Sequence, residues 1–327
     1  MGDVTTADPD DQLETYRAEL TGYCYRMLGS VFEAQDAVQE TMVRAWRSRE
    51  RFEGRSSVRS WMYRIATNVC LDALAAGKRR ALPMDLSGPT SGAVSPGTPL
   101  DGGTWIEPCP EHLTGAGSGT GDSDPAEASV ARESVRLAFV AALQLLPPKQ
   151  RATLLLRDVL AFSAREVADL HYTSVASVNS ALQRARATLA ARRAERADPA
   201  PDAVQRVLAD RYAKAFSRFD MVELSMLIHV DATLSLPPYA LWMRGVSDIR
   251  AWLNGPAIGC KGSRLVPTSA NGSPAFGQYR PRPDGPGFDP WALQVIEFGP
   301  DRITGINAFR DTDRLFPLFG LPSHLPG

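Results

Sequence analysis

The chain predicts a multidomain protein: two all-α units, a helical bundle and a helix-turn-helix, followed by an α+β unit. Three observations carry this. Apolar side chains recur at three- and four-residue steps over residues 10–82 and 130–197. A Gly- and Pro-rich stretch, residues 83–129, separates these helical regions and contains no Lys or Arg. Beyond residue 228 the pattern changes to alternation, with an Asn271-Gly272 turn between two strand-like runs. At 327 residues the chain is long enough for two or three compact units.

In the first unit Leu13, Tyr16, Leu20, Tyr23, Cys24 and Met27 share one helical face. Glu33–Trp46 repeats the pattern with Ala37, Val38, Met42, Ala45 and Trp46. A third helix, Val58–Leu74, buries Val58, Met62, Ile65 and Val69, with Ser56 or Ser57 as its cap. Residues 83–129 read as a flexible acidic linker, and Trp105 and Ile106 form an apolar island within it. Helices resume near Ala128, broken at Leu146-Pro147-Pro148 and near His171-Tyr172. After a Pro-rich link at 198–202 come a helix with Val204, Val207, Leu208, Tyr212, Ala215, Phe216 and Phe219 on one face and a shorter one to Ile228. Strands follow around Leu234–Leu236 and at Arg264–Ala270, Ala275–Tyr279, Ala292–Phe298 and Ile303–Phe309.

The net charge of -1 conceals a division along the chain. Residues 1–82 are neutral, 83–129 carry -7, 130–200 carry +5 and 201–327 carry +1. A basic helical segment masked by an acidic one suits a modular DNA-binding protein. No stretch is apolar enough to span a bilayer, and the acidic start lacks the pattern of a secretory signal, so a cytoplasmic protein without membrane attachment is expected. Cys24, Cys70, Cys109 and Cys260 lack metal-ligand spacing; neither a metal nor another cofactor is expected.

Ser163-Ala-Arg-Glu166 is a capping box opening one helix. After the His171–Ser174 turn, Val175, Val178, Leu182, Ala185 and Leu189 form the buried stripe of a second. Its outward face carries Ser174, Ser177, Asn179, Ser180, Gln183, Arg184 and Arg186, the short polar groups and arginines of a major-groove reader, with Arg165 on the preceding helix. In the first unit Asp36, Gln39, Glu40 and Arg44 form a mixed-charge strip suited to a protein partner. The third helix interleaves Arg59, Trp61, Tyr63, Arg64 and Asn68 and ends in Lys78-Arg79-Arg80, combining stacking surface with positive charge, a mixture suited to single-stranded DNA.

The strings EAQDAVQETMVRAW, SVRSWMYRIATNVCLDAL and LPPKQRATLLLRDVLAFSAREVADLHYTSVASVNSALQRARATL resemble regions 2 and 4 of extracytoplasmic-function sigma factors of the sigma-70 family. The resemblance implies core RNA polymerase and promoter DNA as partners. It assigns Asp36, Gln39, Glu40 and Arg44 to the clamp helices of the β′ subunit, and a β flap contact accompanies region 4. It assigns Arg59, Trp61, Tyr63, Arg64, Asn68, Lys78, Arg79 and Arg80 to the -10 element, and the helix-turn-helix to duplex at the -35 element. Ala75-Ala76-Gly77 depart from the arginines that family members often carry there.

Residues 203–327 form the last domain, and nearly 203–315 of it resembles the SnoaL-like fold of the ketosteroid isomerase superfamily, a cone-shaped barrel, in HVDATLSLPPYALWMRGVSDIRAWL, SRLVPTSANGSPAFGQYR and PWALQVIEFGPDRITGINAFRD. The resemblance implies a pocket, with His229, Asp231, Tyr239, Trp242, Trp252 and Tyr279 as candidate lining. A regulatory rather than catalytic domain is expected, docking on the sigma regions or polymerase, with RLFPLFGLP as docking strip or internal core. Two alternatives remain open at this stage: a one-component regulator with a ligand-sensing C-terminal pocket, and an isomerase or cyclase on a DNA-binding anchor.

Overall fold

The computed structural model describes residues 13–114, 133–193 and 202–327, apart from Glu53, Arg55, Lys78 and Ala93. The chain folds into two units: residues 1–80 with 111–194, and residues 81–110 with 195–327.

The first unit begins with α1 (Arg17–Leu28), α2 (Val31–Ser48) and α3 (Val58–Ala76). Gly29 ends α1 in the left-handed region at φ 74°, where a Cβ would be strained. Ser30 then caps α2 by accepting from the Glu33 amide at 3.2 Å, and Ser57 caps α3 through the Ser60 amide at 3.1 Å. Leu20, Tyr23, Cys24 and Met27 of α1 pack with Ala34, Val38 and Met42 of α2 and with Met62, Tyr63, Ala66 and Cys70 of α3, all buried. The buried Tyr23 hydroxyl is 2.8 Å from the Thr67 hydroxyl, so this core leaves neither unpaired.

The chain re-enters this unit through α4 (Glu111–Thr114), which lies against α1. Gly22 permits the approach, since a Cβ there would sit 2.5 Å from the Thr114 carbonyl oxygen. Then come α5 (Leu137–Leu143), α6 (Pro148–Leu154) continued by a π turn (Leu155–Val159), α7 (Ala164–Leu170) and α8 (Val175–Arg193). Arg151 joins the two helical regions. Only 2% exposed, it donates to the carbonyl oxygens of Met27, Gln144 and Leu146 and to Gln144 Oε1. Desolvation lowers its pKa to about 10; its two Nη groups are spent on that fan of acceptors, while its buried Nε has no partner.

The second unit opens with α9 (Asp202–Arg218) and α10 (Met221–Leu227). A six-stranded sheet follows: β1 (Ile228–Ser235), β2 (Trp242–Arg244), β3 (Arg264–Ala270), β4 (Ser273–Pro281), β5 (Phe288–Phe298) and β6 (Ile303–Phe309). The order is β2-β1-β6-β5-β4-β3. Only β1 and β6 pair in parallel; the other neighbours are antiparallel. Asn271 and Gly272, with φ of 55° and 67°, make the expected hairpin turn. Helices α9 and α10 and α11 (Val246–Asn254) cover one face, around Tyr212, Phe216, Leu234, Trp252, Phe276 and Ile306. On the other face α12 (Thr312–Leu318) seats Phe316 against Tyr279, ring centroids 5.1 Å apart. Leu315, Phe316 and Leu321 are buried there, so RLFPLFGLP is core of its own unit rather than an exposed docking strip.

Residues 81–110 depart from the flexible linker that their composition suggests. They form a strap built into the second unit. Thr90 donates to the Trp242 carbonyl and Leu100 to the Pro238 carbonyl, both at 2.8 Å, and Trp242 Nε1 donates to the Ser87 carbonyl at 2.9 Å. At the far end Cys109 and Asn271 exchange two 2.9 Å hydrogen bonds, and Glu107 pairs with Arg314 of α12 at 3.3 Å. Trp105, Ile106 and Cys109 are at most 3% exposed. A few apolar anchors and polar groups borrowed from the sheet thus order a glycine-rich segment whose own regular structure is two short 3-10 turns, Pro83–Asp85 and Gly102–Thr104, and one bridge between Ala81 and Trp105. Of the rest of the expected linker, Glu111–Thr114 forms a short helix of the first unit and residues 115–129 lie outside the described residues.

Candidate nucleic-acid and polymerase interface

The α2 strip is displayed as expected. Burial of Ala34, Ala37, Val38, Thr41 and Ala45 turns Asp36, Gln39, Glu40 and Arg44 outward, and all four are exposed. Arg44 pairs with Glu40 at 2.7 Å and approaches Asp72 of α3 at 3.5 Å, so the strip offers a fixed alternation of sign. Trp46, read from periodicity as buried, is instead 56% exposed with Arg49 over its ring at 5.7 Å. It lies two turns beyond Gln39 on the same face of α2. The signal that could have found it is the spacing Gln39, Val43, Trp46, which follows the exposed face as well as the buried one.

On α3 the expected DNA-facing residues divide. Asn68 and Arg79 are exposed, and Trp61 is half-buried against Phe52, ring centroids 5.0 Å apart. Tyr63 is fully buried, edge-on to Tyr23 and to Phe162, each at 5.2 Å. Arg59 pairs with Glu19, donates to the Leu160 carbonyl at 3.3 Å and lies over the Phe162 ring at 4.6 Å. Arg64 lies over Tyr172 at 5.5 Å. Three of the expected DNA-facing side chains are therefore engaged by the turn before α7 and the turn after it. Arg80 is 7% exposed and paired with Glu33 at 2.6 Å, which makes it a fastening of α2 rather than a free phosphate ligand. Lys78 lies outside the described residues.

The helix-turn-helix takes the predicted form. Ser163 and Glu166 close the capping box, the Glu166 amide donating to Ser163 Oγ at 3.2 Å and the Ser163 amide to Glu166 Oε2 at 2.7 Å. Those hydrogen bonds also hold the Glu166 carboxyl below its usual pKa. Ser174 caps α8 through the Ser177 amide at 3.2 Å. Val178, Leu182 and Ala185 are buried, while Val175, expected in the same stripe, is 38% exposed. Ser174, Ser177, Asn179, Ser180, Gln183, Arg184 and Arg186 all face out, as does Arg165 on α7. Arg186 is held by Asp158 at 2.7 Å and Arg165 by Asp169 at 3.3 Å, leaving Gln183 and Arg184 as the long side chains at the centre of the exposed face.

The six candidate pocket residues of the second unit are not brought together. Asp231 is exposed, and its backbone amide, not its carboxylate, meets His229 Nδ1 at 3.2 Å. No acid–base pair is formed. Trp242 serves the strap, and Tyr279 donates to the Pro322 carbonyl at 2.7 Å on the α12 face. Trp252 and Tyr239 lie on the opposite face, in or against the core under the helices. The bulges in β1 and β5 set these faces, and a bulge is not readable from alternation alone.

Among the described residues no His/Cys/Asp/Glu group is arranged for a metal, and no helix is long and apolar enough to cross a membrane.

Comparison with known proteins agrees with the helical geometry. The Sigma-70 region 2 model matches residues 13–80 and the Sigma-70 region 4 model matches residues 136–189. The chain is 43% identical to the ECF RNA polymerase sigma factor SigG of Mycobacterium tuberculosis over 332 aligned positions, covering 99% of this chain and 86% of that protein. It is 28% identical to SigJ of the same species over 224 positions, 68% of this chain and 63% of that one. The crystal structure of M. tuberculosis SigJ superposes with a TM-score of 0.60 at 22% identity, covering 95% of this chain and 99% of that one, a likeness of fold. The identity to SigG over nearly the whole chain, with region 2 and region 4 in order, makes this protein a member of the extracytoplasmic-function RNA polymerase sigma factors, non-enzymatic proteins that direct promoter-specific transcription initiation.

Proposed function

We propose that three exposed faces divide the work of initiation in the cytoplasm. The α2 strip of Asp36, Gln39, Glu40 and Arg44, extended by Trp46, docks on the clamp helices of the β′ subunit. An aromatic on the strip's end is the residue type that dominates protein interfaces when buried. Helix α3, with Arg59, Trp61, Tyr63, Arg64, Asn68, Lys78 and Arg79, captures the -10 element as single strand, and Gln183 and Arg184 on α8 read base edges of the -35 duplex beside the β flap. The observation that carries the reading is the fully exposed polar face of α8 over a buried apolar stripe, behind a closed capping box.

This division has a conformational consequence. Arg59, Tyr63 and Arg64 are held by Leu160, Phe162 and Tyr172, so the -10 face becomes available only when the helix-turn-helix separates from α3. The second unit, read as a SnoaL-like regulatory domain, is supported by its mixed sheet under three helices and by the strap: the segment joining region 2 to region 4 is stored on it. That His229 meets the Asp231 backbone amide and not its carboxylate supports regulation over catalysis.

The test is association of the full chain with core polymerase. Asp36→Arg together with Glu40→Arg is expected to abolish association with core polymerase, measured by pull-down; wild-type association would contradict the assignment of the strip.

A further inference from the structure

The helix-covered face of the sheet carries a polar row that the sigma functions do not use. Tyr212 donates to Gln294 Oε1 at 2.8 Å, Gln294 Nε2 to Gln278 Oε1 at 2.8 Å, and Gln278 Nε2 to Ser263 Oγ at 3.1 Å, all buried. Each side chain of this row has a partner within it. At its end, where β4 leaves the sheet, the same face presents Arg280, Trp291 and Arg310. Gln278 pairs with Ala292 while Tyr279 pairs with Pro290, so Trp291 is the extra residue of a bulge that turns its ring toward the two arginines.

The guanidinium carbons of Arg280 and Arg310 lie 3.1 and 3.3 Å from the centroid of the Trp291 ring. Two flat cations cannot share one face of a ring at that separation, so the indole is sandwiched between them. Arg280 Nη2 meets Cys260 Sγ at 2.9 Å and its buried Nε has no partner; Arg310 Nε donates to the Trp291 carbonyl at 2.7 Å. Neither forms an ion pair with a described carboxylate, whereas the neighbouring Arg282 and Arg314 are paired with Asp289 and with Glu107 and Asp311. Burial and the adjacent Arg280 together lower the Arg310 pKa to about 10. Ring stacking accounts for one cation; a second, placed beside it without a counter-charge, is the arrangement of an anion site.

We propose that Arg280, Trp291 and Arg310 form a binding site for the oxyanion of a small molecule, a carboxylate or a phosphate, bridged at the edge of the indole by the two guanidinium forks. Partly buried Tyr239, packed against the core, lies within electrostatic reach of Arg310 and borders the site. The proposal deepens the regulatory reading of this unit by giving it a ligand class, but the binding itself does not depend on that reading.

Titration calorimetry of the full chain with inorganic phosphate, and separately with benzoate, tests it. At least one probe is expected to bind at a single saturable site, and the preferred probe tells phosphate from carboxylate. Arg280→Gln and Arg310→Gln each weaken binding by about tenfold or more, and Arg314→Gln leaves it unchanged. Binding by neither probe, binding undiminished in both variants, or binding only of an acidic peptide would overturn the site. If the variants fail to fold, arginine modification of the wild-type chain by phenylglyoxal decides. The preferred probe should protect Arg280 and Arg310 but not Arg282, and equal modification with and without probe contradicts the proposal. Loss of binding without any change in transcription by the variant holoenzyme would remove the regulatory reading and leave the site standing.

Discussion

Gln183 and Arg184 stand on the outer face of α8 with no described ion pair, so their amide and guanidinium groups are free for base edges. Arg184→Ala or Gln183→Ala should cost about 1–3 kcal/mol of discrimination per lost base contact at the -35 element. Competition binding against substituted -35 duplexes measures it; equal weakening on every sequence would reduce the role to phosphate contact. His171, in the turn of the same motif, has Nε2 buried without a partner, and burial followed by the nearby Lys149 lowers its pKa to about 4. The unfolded chain takes up this proton nearer pH 6.5. Neutral His171 therefore leaves stability intact above pH 6.5, and stability is lost as pH falls from there toward 4, by at most about 3 kcal/mol. Denaturant titrations between pH 7 and 4.5 should show this fall, and His171→Gln should flatten it; an unchanged slope would assign the acid sensitivity elsewhere. Such residues were legible by type in the sequence, because a capping box and an apolar stripe fix which side of α8 faces out. Trp46 and Arg80 were not: helical period alone does not decide whether a tryptophan beside the stripe is covered, or whether a basic residue after a helix finds an acidic partner such as Glu33.

The turns on either side of α7 hold Arg59, Tyr63 and Arg64 of α3. Tyr172 is 79% exposed and touches Arg64 through its ring, so Tyr172→Ala should change thermal stability by no more than about 1 kcal/mol. It should nevertheless tighten binding of a single-stranded -10 oligonucleotide by releasing Arg64, as fluorescence anisotropy would record; unchanged or weaker binding would mean that this contact does not limit the face. The strap makes the opposite kind of prediction. Trp105 is buried in a segment whose only pairing near it is a single β-bridge to Ala81, and Trp105→Ala should destabilise the second unit by about 3–5 kcal/mol. Amide exchange should then rise along 81–110 and at Asn271; protection equal to wild type would show that the polar contacts alone suffice. The helices, the Asn271-Gly272 hairpin and the β5–β6 hairpin were legible because their signals are local. The strap was not, since its partners lie more than 130 residues away at Trp242, Pro238 and Asn271, and composition measures only what a segment can do for itself. The parallel pairing of β1 with β6 and the bulge at Trp291 escaped for the same reason.

Over the whole molecule, near-neutral charge hides a division of labour. The +5 segment carries the helix-turn-helix, and the acidic stretch 83–129 contributes its first part to the second unit. The chain thus leaves region 2, is stored as a strap on the mixed-sheet unit, and returns at Glu111 to build region 4. Under the proposed division of work, region 4 would engage a -35 element within that connectivity. Run-off transcription from a genomic fragment library, with purified core polymerase and the full chain, tests the central claim most directly. Defined transcripts from a restricted promoter set are expected with the wild-type chain. The Asp36→Arg, Glu40→Arg double variant should give none, and Arg184→Ala should give an altered promoter preference. Absence of defined transcripts with the wild-type chain, or identical transcripts from all three proteins, would contradict the account.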